Sequence, residues 1–196
     1  MREVTGIVLA AGASERMGEP KLVLPYAGTT ILKATLGAVL ASRVDSVIVV
    51  TGADSDVVEA SLEYPSIVVV RNPDHRRGNM SSLLTATDRD TDAGAFILVA
   101  GDVPTITTAS IDAMVELWAD TSPWAAVTVY RDRISHPILL SRAAVGEARG
   151  IEGSKVLWRA LVESGDDRVV RMDASGDAPP DINTREDYEA LLKHVR

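Results

Sequence analysis

The sequence predicts an α/β fold whose mostly parallel sheet is flanked by helices. Three observations carry that prediction. Apolar runs rich in Val and Ile recur at Val4–Leu9, Ser46–Val50, Ser66–Val70 and Ala95–Ala100; each run is continuous where a half-exposed strand would alternate; and helical patterns lie between them. Strands buried on both faces of a parallel sheet read as continuous apolar runs. Regular alternation of strand with helix marks α/β architecture.

The elements follow in order. Val4–Leu9 opens the sheet, and Thr29-Thr30 precedes a helix over Ile31–Ala41. Helical patterns over Ser55–Leu62 and Met80–Thr87 alternate with the next strands, and a helix over Ile111–Trp118 follows Thr107-Thr108. Beyond it the pattern loosens. Ala125–Tyr130 and Pro137–Leu140 are short strands suited to antiparallel pairing at a sheet edge, Ser154–Ser164 reads as a helix, and Val169–Met172 as a further strand. The 174–180 segment, with Gly176, Pro179 and Pro180, is a loop by composition; the last helix starts at Thr184 with Asp187 placed as a weak capping partner. Trp118, Trp124 and Trp158 lie in apolar surroundings and are expected to pack in or near the core. No repeat, low-complexity segment or linker divides the chain, so residues 1–196 are expected to form a single domain.

With 196 residues, 46% of them hydrophobic, the chain can bury a substantial core. A net charge of −8 argues against a general nucleic-acid or membrane surface, and 4% aromatic residues are too few for a base-stacking RNA platform. The absence of cysteine excludes disulfides, thiolate metal sites and a cysteine nucleophile. Met1–Val4 shows nothing like a signal peptide, and no apolar run approaches the roughly 20 residues that cross a bilayer, so a cytoplasmic setting without membrane or nucleic-acid partners is expected. No Gly-x-Ser-x-Gly elbow marks a hydrolase triad.

The most telling stretch is Leu9-Ala10-Ala11-Gly12-Ala13-Ser14-Glu15-Arg16-Met17-Gly18-Glu19-Pro20-Lys21, directly after the first strand. Two glycines let the backbone turn and approach a ligand, while Arg16 and Lys21 add positive charge where amides point outward. Such a loop suits a polyphosphate. It is not a Walker A loop, because Glu19 and Pro20 follow Gly18, and the Gly-x-Gly-x-x-Gly dinucleotide fingerprint is absent. After the strand ending near Ala100 comes Gly101-Asp102-Val103-Pro104, where a strand-terminal carboxylate can hold Mg²⁺ against a triphosphate; an ordinary turn is the alternative. Asn183, in Asp181-Ile182-Asn183-Thr184, can offer its amide oxygen to the same ion or simply sit in a turn before the helix cap. Asn72, Gly78 and Ser82 bring a glycine and polar side chains to a helix start after a strand, suited to ribose or base, while Arg76 and Arg77 read as a solvated loop. Loops that follow parallel strands collect at one edge of the sheet, where ligands bind at the reversal of strand order.

In its order Leu-Ala-Ala-Gly-x-Ser-x-Arg-Met-Gly-x-x-Lys, the first loop resembles the signature of nucleotidyltransferases, in particular the MobA-like family that attaches a nucleotide to the molybdenum cofactor. Gly101-Asp102-Val103-Pro104 resembles that family's metal motif, and Asn72, Pro73, Gly78 and Ser82 match its Asn-Pro through Gly-x-x-x-Ser stretch. The resemblance implies a Rossmann-like, nucleotide-diphospho-sugar transferase-like fold, an NTP-binding half over about residues 1–104 and an acceptor half over about 105–196. It implies NTP contacts from Leu9, Ala10, Ala11, Gly12, Ser14, Arg16, Lys21, Asn72, Gly78 and Ser82, catalytic roles for Arg16, Lys21 and Asp102, and metal ligation by Asp102 and Asn183. Guanylyl-transferring relatives resemble Leu-Ala-Gly-Gly where this chain has Ala11, so the methyl favours a pyrimidine over guanine by ~1–3 kcal/mol without separating cytosine from uracil, and the family resemblance makes CTP the expected nucleotide.

On the acceptor side, His136 lies in a segment that resembles the one beside the molybdopterin phosphate, although a structural turn is the commoner use of such a histidine. Gly153, Ser154 and Lys155 resemble part of Gly-Asp-x-Gly-Ala-Arg, with Ile151 in place of the acid and Lys155 in place of an arginine fork. The implied reaction is Mg²⁺-dependent transfer of CMP to a phosphorylated small-molecule acceptor with release of pyrophosphate, and a molybdoenzyme or its maturation factor is the implied protein partner. A sugar- or polyol-phosphate nucleotidyltransferase, or a nucleotide-binding accessory protein without turnover, shares the first loop and the acid.

Overall fold

The computed structural model describes residues 3–149, 161 and 165–193. Its centre is a seven-stranded sheet formed by β1 (Val4–Ala10), β4 (Ser46–Thr51), β5 (Ile67–Arg71), β6 (Ala95–Ala100), β7 (Ala125–Val129), β8 (Ile134–Ser141) and β9 (Val169–Asp173), in the order β5-β4-β1-β6-β8-β7-β9. All neighbours pair parallel except those of β8, which is antiparallel to both β6 and β7. The antiparallel pairing expected of the two short strands is present, but inside the sheet, because β9 adds beyond β7 and takes the edge. A small hairpin, β2 (Pro25–Tyr26) with β3 (Thr29–Thr30), stands apart and feeds α1 (Ile31–Leu40).

Period-two alternation on buried strands sorts the core into two layers. Val4, Val8 and Ala10 of β1 and Ala95, Ile97 and Val99 of β6 face one layer, with Leu32 and Leu36 of α1 and Ile111 and Met114 of α4 (Thr108–Thr121). Ile7, Phe96 and Leu98 face the other, with Met80, Leu83 and Ala86 of α3 (Asn79–Arg89) and Ala144 and Val145 of α5 (Arg142–Ala148). Val58 of α2 (Ser55–Ala60) and Tyr188 and Leu191 of α6 (Arg185–Leu192) join the first layer. Trp118 is core; Trp124 is only partly buried, beneath the Arg168 guanidinium at 4.1 Å; the expected 154–164 helix and Trp158 lie outside the described residues apart from the buried Leu161.

One apolar run departs from expectation. β5 is not buried on both faces: as an edge strand it leaves Val68 and Val69 each 39% exposed. At its end Arg71 is held by Glu59 and Asp56 of α2, with Nη2 contacts of 2.9 and 2.8 Å. No described helix is long and apolar enough to cross a membrane.

Local chemistry sets the helix starts. Thr30, Thr107 and Ser141 each accept a backbone N–H at an N-cap. α6 has a complete capping box rather than the weak cap expected: Thr184 Oγ1 accepts Asp187 N–H at 3.2 Å, while Asp187 Oδ2 accepts the N–H groups of Thr184 and Asn183 at 2.8 and 2.9 Å. At the ends of β1 and β4 the chains nearly touch. A Cβ added to Gly52 would stand 2.6 Å from Ala11 O and 2.8 Å from Ala11 Cβ.

Two outcomes follow. Asp187→Ala should lower stability by about 1 kcal/mol in urea melts at neutral pH. The bonds from Asn183 N–H hold the Asp187 carboxyl below its ordinary range, so the native state binds fewer protons than the unfolded one; its contribution is present above the unfolded carboxylate pKa and disappears as pH falls through the lowered value. The mutant and wild-type melts should therefore converge in acid. Gly52→Ala should cost about 1–3 kcal/mol, because the new methyl meets a backbone oxygen that cannot swing aside.

Candidate active site

The carboxyl ends of β1, β4, β5 and β6 share one rim of the sheet, on either side of the point where strand order reverses. The loop after β1 turns first. Ser14 O accepts the N–H groups of Met17 and Gly18 at 2.9 and 3.1 Å, and the left-handed dihedrals fall on Ser14 (φ 49°) and Gly18 (φ 75°). Ser14 Oγ then accepts Lys21 N–H at 3.1 Å, which closes the loop onto the 3-10 turn Lys21–Val23. Gly12 is exposed and has open space where a side chain would stand. Leu9 and Ala10 end the strand beneath, and Arg16 is exposed with no ion pair among the described residues. Ala11 is 9% exposed, its methyl close to Gly52.

Lys21 joins this loop to the acid. Its ammonium is ion-paired with Asp102 Oδ2 and donates to Ile182 O at 2.6 Å and Asn183 Oδ1 at 3.3 Å, with only 12% of the Lys21 side chain and 15% of the Asp102 side chain exposed. Gly101 N–H bonds Leu9 O at 2.9 Å and Ile182 N–H bonds Asp102 O at 3.2 Å, so three segments distant in sequence are laced together. The site residues Lys21, Asp102 and Asn183 therefore meet at one point.

Asn72 and Ser82 follow β5 on the same rim. Asn72 is 1% exposed: its amide N donates to Ser81 Oγ and Ser82 Oγ at 2.9 and 3.0 Å, and its Oδ1 accepts Asp74 N–H at 2.9 Å. Ser82 is 3% exposed beneath it, and the bonds of both side chains shape the 72–82 loop, at the end of β5. Gly78, at φ 96° and ψ −176°, is open to glycine alone and turns the loop into α3. Arg76 and Arg77 are exposed.

His136 lies on β8, beside the end of β6. A carbonyl only accepts, so the 3.1 Å contact between Nδ1 and Leu98 O commits the Nδ1 proton to the backbone. Burial pushes the imidazole below its ordinary range, against that bond and the nearby Asp181 and Asp102 charges. With its Nδ1 proton held by Leu98 O, the ring is fixed against the end of β6. Gly153, Ser154 and Lys155 lie outside the described residues.

The sequence reading missed Asp181. Crowding by surrounding protein, then the Asp102 charge, raises its carboxyl above the ordinary range, opposed by His136, Arg133 and Lys21. Its signal was its place in Asp181-Ile182-Asn183, beside the residue chosen for its amide. Among the described residues no three acidic or histidine side chains form a metal site on their own. The donor set still fits a divalent cation that takes one or two protein oxygens and completes its shell from substrate and water: Asp102 Oδ2, Ile182 O and Asn183 Oδ1 already converge on one positive charge, that of Lys21.

Comparison with known proteins agrees with this geometry. Molybdenum cofactor cytidylyltransferase of Escherichia coli K12 is 29% identical over 189 residues, 96% of this chain and 95% of that protein. A protein of Paenarthrobacter nicotinovorans named nicotine blue oxidoreductase is 31% identical over 180 residues, 89% of this chain and 78% of that protein. Rv0371c of Mycobacterium tuberculosis H37Rv has the same fold, with a TM-score of 0.90 at 34% identity over 98% of each chain. Its complex with manganese gives 0.85 at 30% identity over 98% of this chain and 100% of that one. The model of the MobA-like NTP transferase domain matches residues 6–169, a span that includes the loop after β1 and Asp102, and on that match the chain belongs to the MobA-like NTP transferase family and is a nucleotidyltransferase.

Proposed function

We propose that this nucleotidyltransferase moves CMP from CTP to the phosphate of a molybdopterin-type acceptor, in the cytoplasm and with Mg²⁺. The observation that carries the reading is the meeting of the glycine-bearing loop and Asp102 at Lys21; the cytidylyltransferase relative, similar over 96% of the chain, supports the choice of substrate. Residues about 1–104 hold the nucleotide and about 105–196 the acceptor.

An acceptor phosphate oxygen attacks the α-phosphorus in line, the bond to the β-phosphate oxygen breaks, and pyrophosphate leaves. The attacking oxygen is already anionic, so no general base is needed. The chain contributes position and charge. Backbone amides of residues 10–14 face the phosphates, Arg16 reaches them from the exposed side of the loop, and Lys21, already inside the crevice, neutralises the charge that develops on the leaving group. Asp102 and Asn183 would hold the Mg²⁺, which when bound offsets triphosphate charge and polarises the α-phosphate.

Incubation with each NTP, Mg²⁺ and either molybdopterin or a panel of sugar phosphates tests the reading. Pyrophosphate is expected with CTP and molybdopterin, and release only with sugar phosphates would replace it with the sugar-phosphate alternative. Asp102→Ala and Lys21→Ala should each lower the rate at least about 100-fold with the melting profile still cooperative, and chelation of divalent metal should stop turnover reversibly. Ala11→Gly, which empties the space against Gly52, should narrow the CTP-over-GTP preference in kcat/KM by about 10-fold.

A further inference from the structure

Three oxygens meet the Lys21 ammonium, one for each of its protons. Asp102 Oδ2 is ion-paired with Nζ, Ile182 O accepts from it at 2.6 Å and Asn183 Oδ1 at 3.3 Å. An ammonium carries three donors and no acceptor, so this one is fully satisfied where it stands. A carboxylate, a backbone carbonyl and an amide oxygen are equally the ligands that a hard divalent cation takes. The lysine and a metal ion therefore claim the same place. They cannot share it, because like charges so close together repel strongly at so buried a point.

No second cage lies ready, since among the described residues no three acidic or histidine side chains could hold an ion. Entry of a cation at Asp102 thus requires the ammonium to leave. Only the side chain has to move. The Lys21 N–H stays with Ser14 Oγ at 3.1 Å, and the neighbouring Leu22 anchors the 3-10 turn in the core, while the flexible four-carbon stem carries the charge to another partner. Leaving without one is costly, because a buried charge stripped of its partner loses more than the pair had gained. In the nucleotidyl-transfer reading a triphosphate lies on the loop after β1, the loop that ends at Lys21.

We propose that Lys21 is the resting occupant of the metal position and gives way only to nucleotide: the ammonium exchanges Asp102, Ile182 O and Asn183 for phosphate, and the three oxygens so freed receive the divalent cation. The place of the ion at Asp102 rests on the nucleotidyl-transfer reading, and the exclusion of metal by the lysine goes beyond it. Nucleotide and metal are bound as a coupled pair, each raising the affinity for the other by the same factor, and the resting crevice does not load metal by itself.

Mn²⁺ titrated into the full chain without nucleotide, followed by the electron paramagnetic resonance of the free ion, tests the exclusion. The wild type should bind weakly, and Lys21→Met, which keeps the stem and removes the charge, should bind at least about 10-fold more tightly. The gain should be absent from the double variant Lys21→Met, Asp102→Ala, and from Arg185→Ala, which takes a positive charge from the neighbouring Arg185–Glu19 pair and leaves the three oxygens occupied. A Lys21→Met affinity no higher than that of the wild type, or an equal gain in either control, would overturn the proposal. A second measurement uses the wild type alone, whatever the variants do to folding. Reductive methylation, read lysine by lysine by mass spectrometry, should run several-fold faster at Lys21 with Mn²⁺ bound than without it, and at the same rate at Lys33; an unchanged Lys21 rate overturns the proposal as well. Equal binding of CTP–Mn²⁺ by the wild type and Asp102→Ala, measured in a separate titration, would instead overturn the reading that puts the ion at Asp102.

Discussion

One buried ammonium holds the active rim together. Lys21 leaves solvent to meet Asp102, the Ile182 carbonyl and Asn183, and a charge taken from water is tolerable only where such partners wait for it. Its partners come from two stretches of chain far from its own, so the pairing registers the loop after β1, the loop after β6 and the lead into α6 against one another. The neighbouring bonds, Ile182 N–H to Asp102 O and Tyr188 Oη–H to Pro25 O at 2.7 Å, fit the same arrangement.

The reversed strand β8 does for the second half what parallel connections do for the first. Running antiparallel to both β6 and β7, it restores the direction of β7, and β9 then adds parallel to β7. The ends of β7 and β9, with Tyr130 and Asp173, therefore reach the same rim as Asp102. Relatives that share nearly the whole chain carry names as different as cytidylyltransferase and oxidoreductase. A common sheet with variable rim loops accounts for such divergence, since the scaffold fixes where groups gather and not which groups they are.

Much of this was legible in the residues. Central strands such as Ala95–Ala100 announce themselves because both faces are buried, and the first loop and Asp102 are local motifs whose neighbours in sequence are their neighbours in space. The rest depends on long-range placement. The Ile67–Val70 run reads like a central strand, and only its position at the end of the sheet exposes it. The β2–β3 turn uses Ala27 at φ 47° before Gly28, where the usual hairpin signal is Asn or Asp before glycine, and α5 follows β8 with no intervening turn residue to mark it. The burial of Asn72 and Ser82 cannot be read from residue type alone. Asp181 was passed over because its neighbour Asn183 drew the metal reading, and the crowding that marks Asp181 comes from packing between distant segments.

The bare margin of β5 has a consequence for behaviour at high concentration. Its unpaired backbone and outward valines offer a template on which another extended segment could zip up, the usual route by which sheet proteins self-associate. Arg71, clasped by Asp56 and Glu59, plants fixed charges at the tip of that margin, where an incoming strand would have to strip them of water. The cluster thus serves as a gatekeeper against fibrous stacking, on the flank farthest from β9.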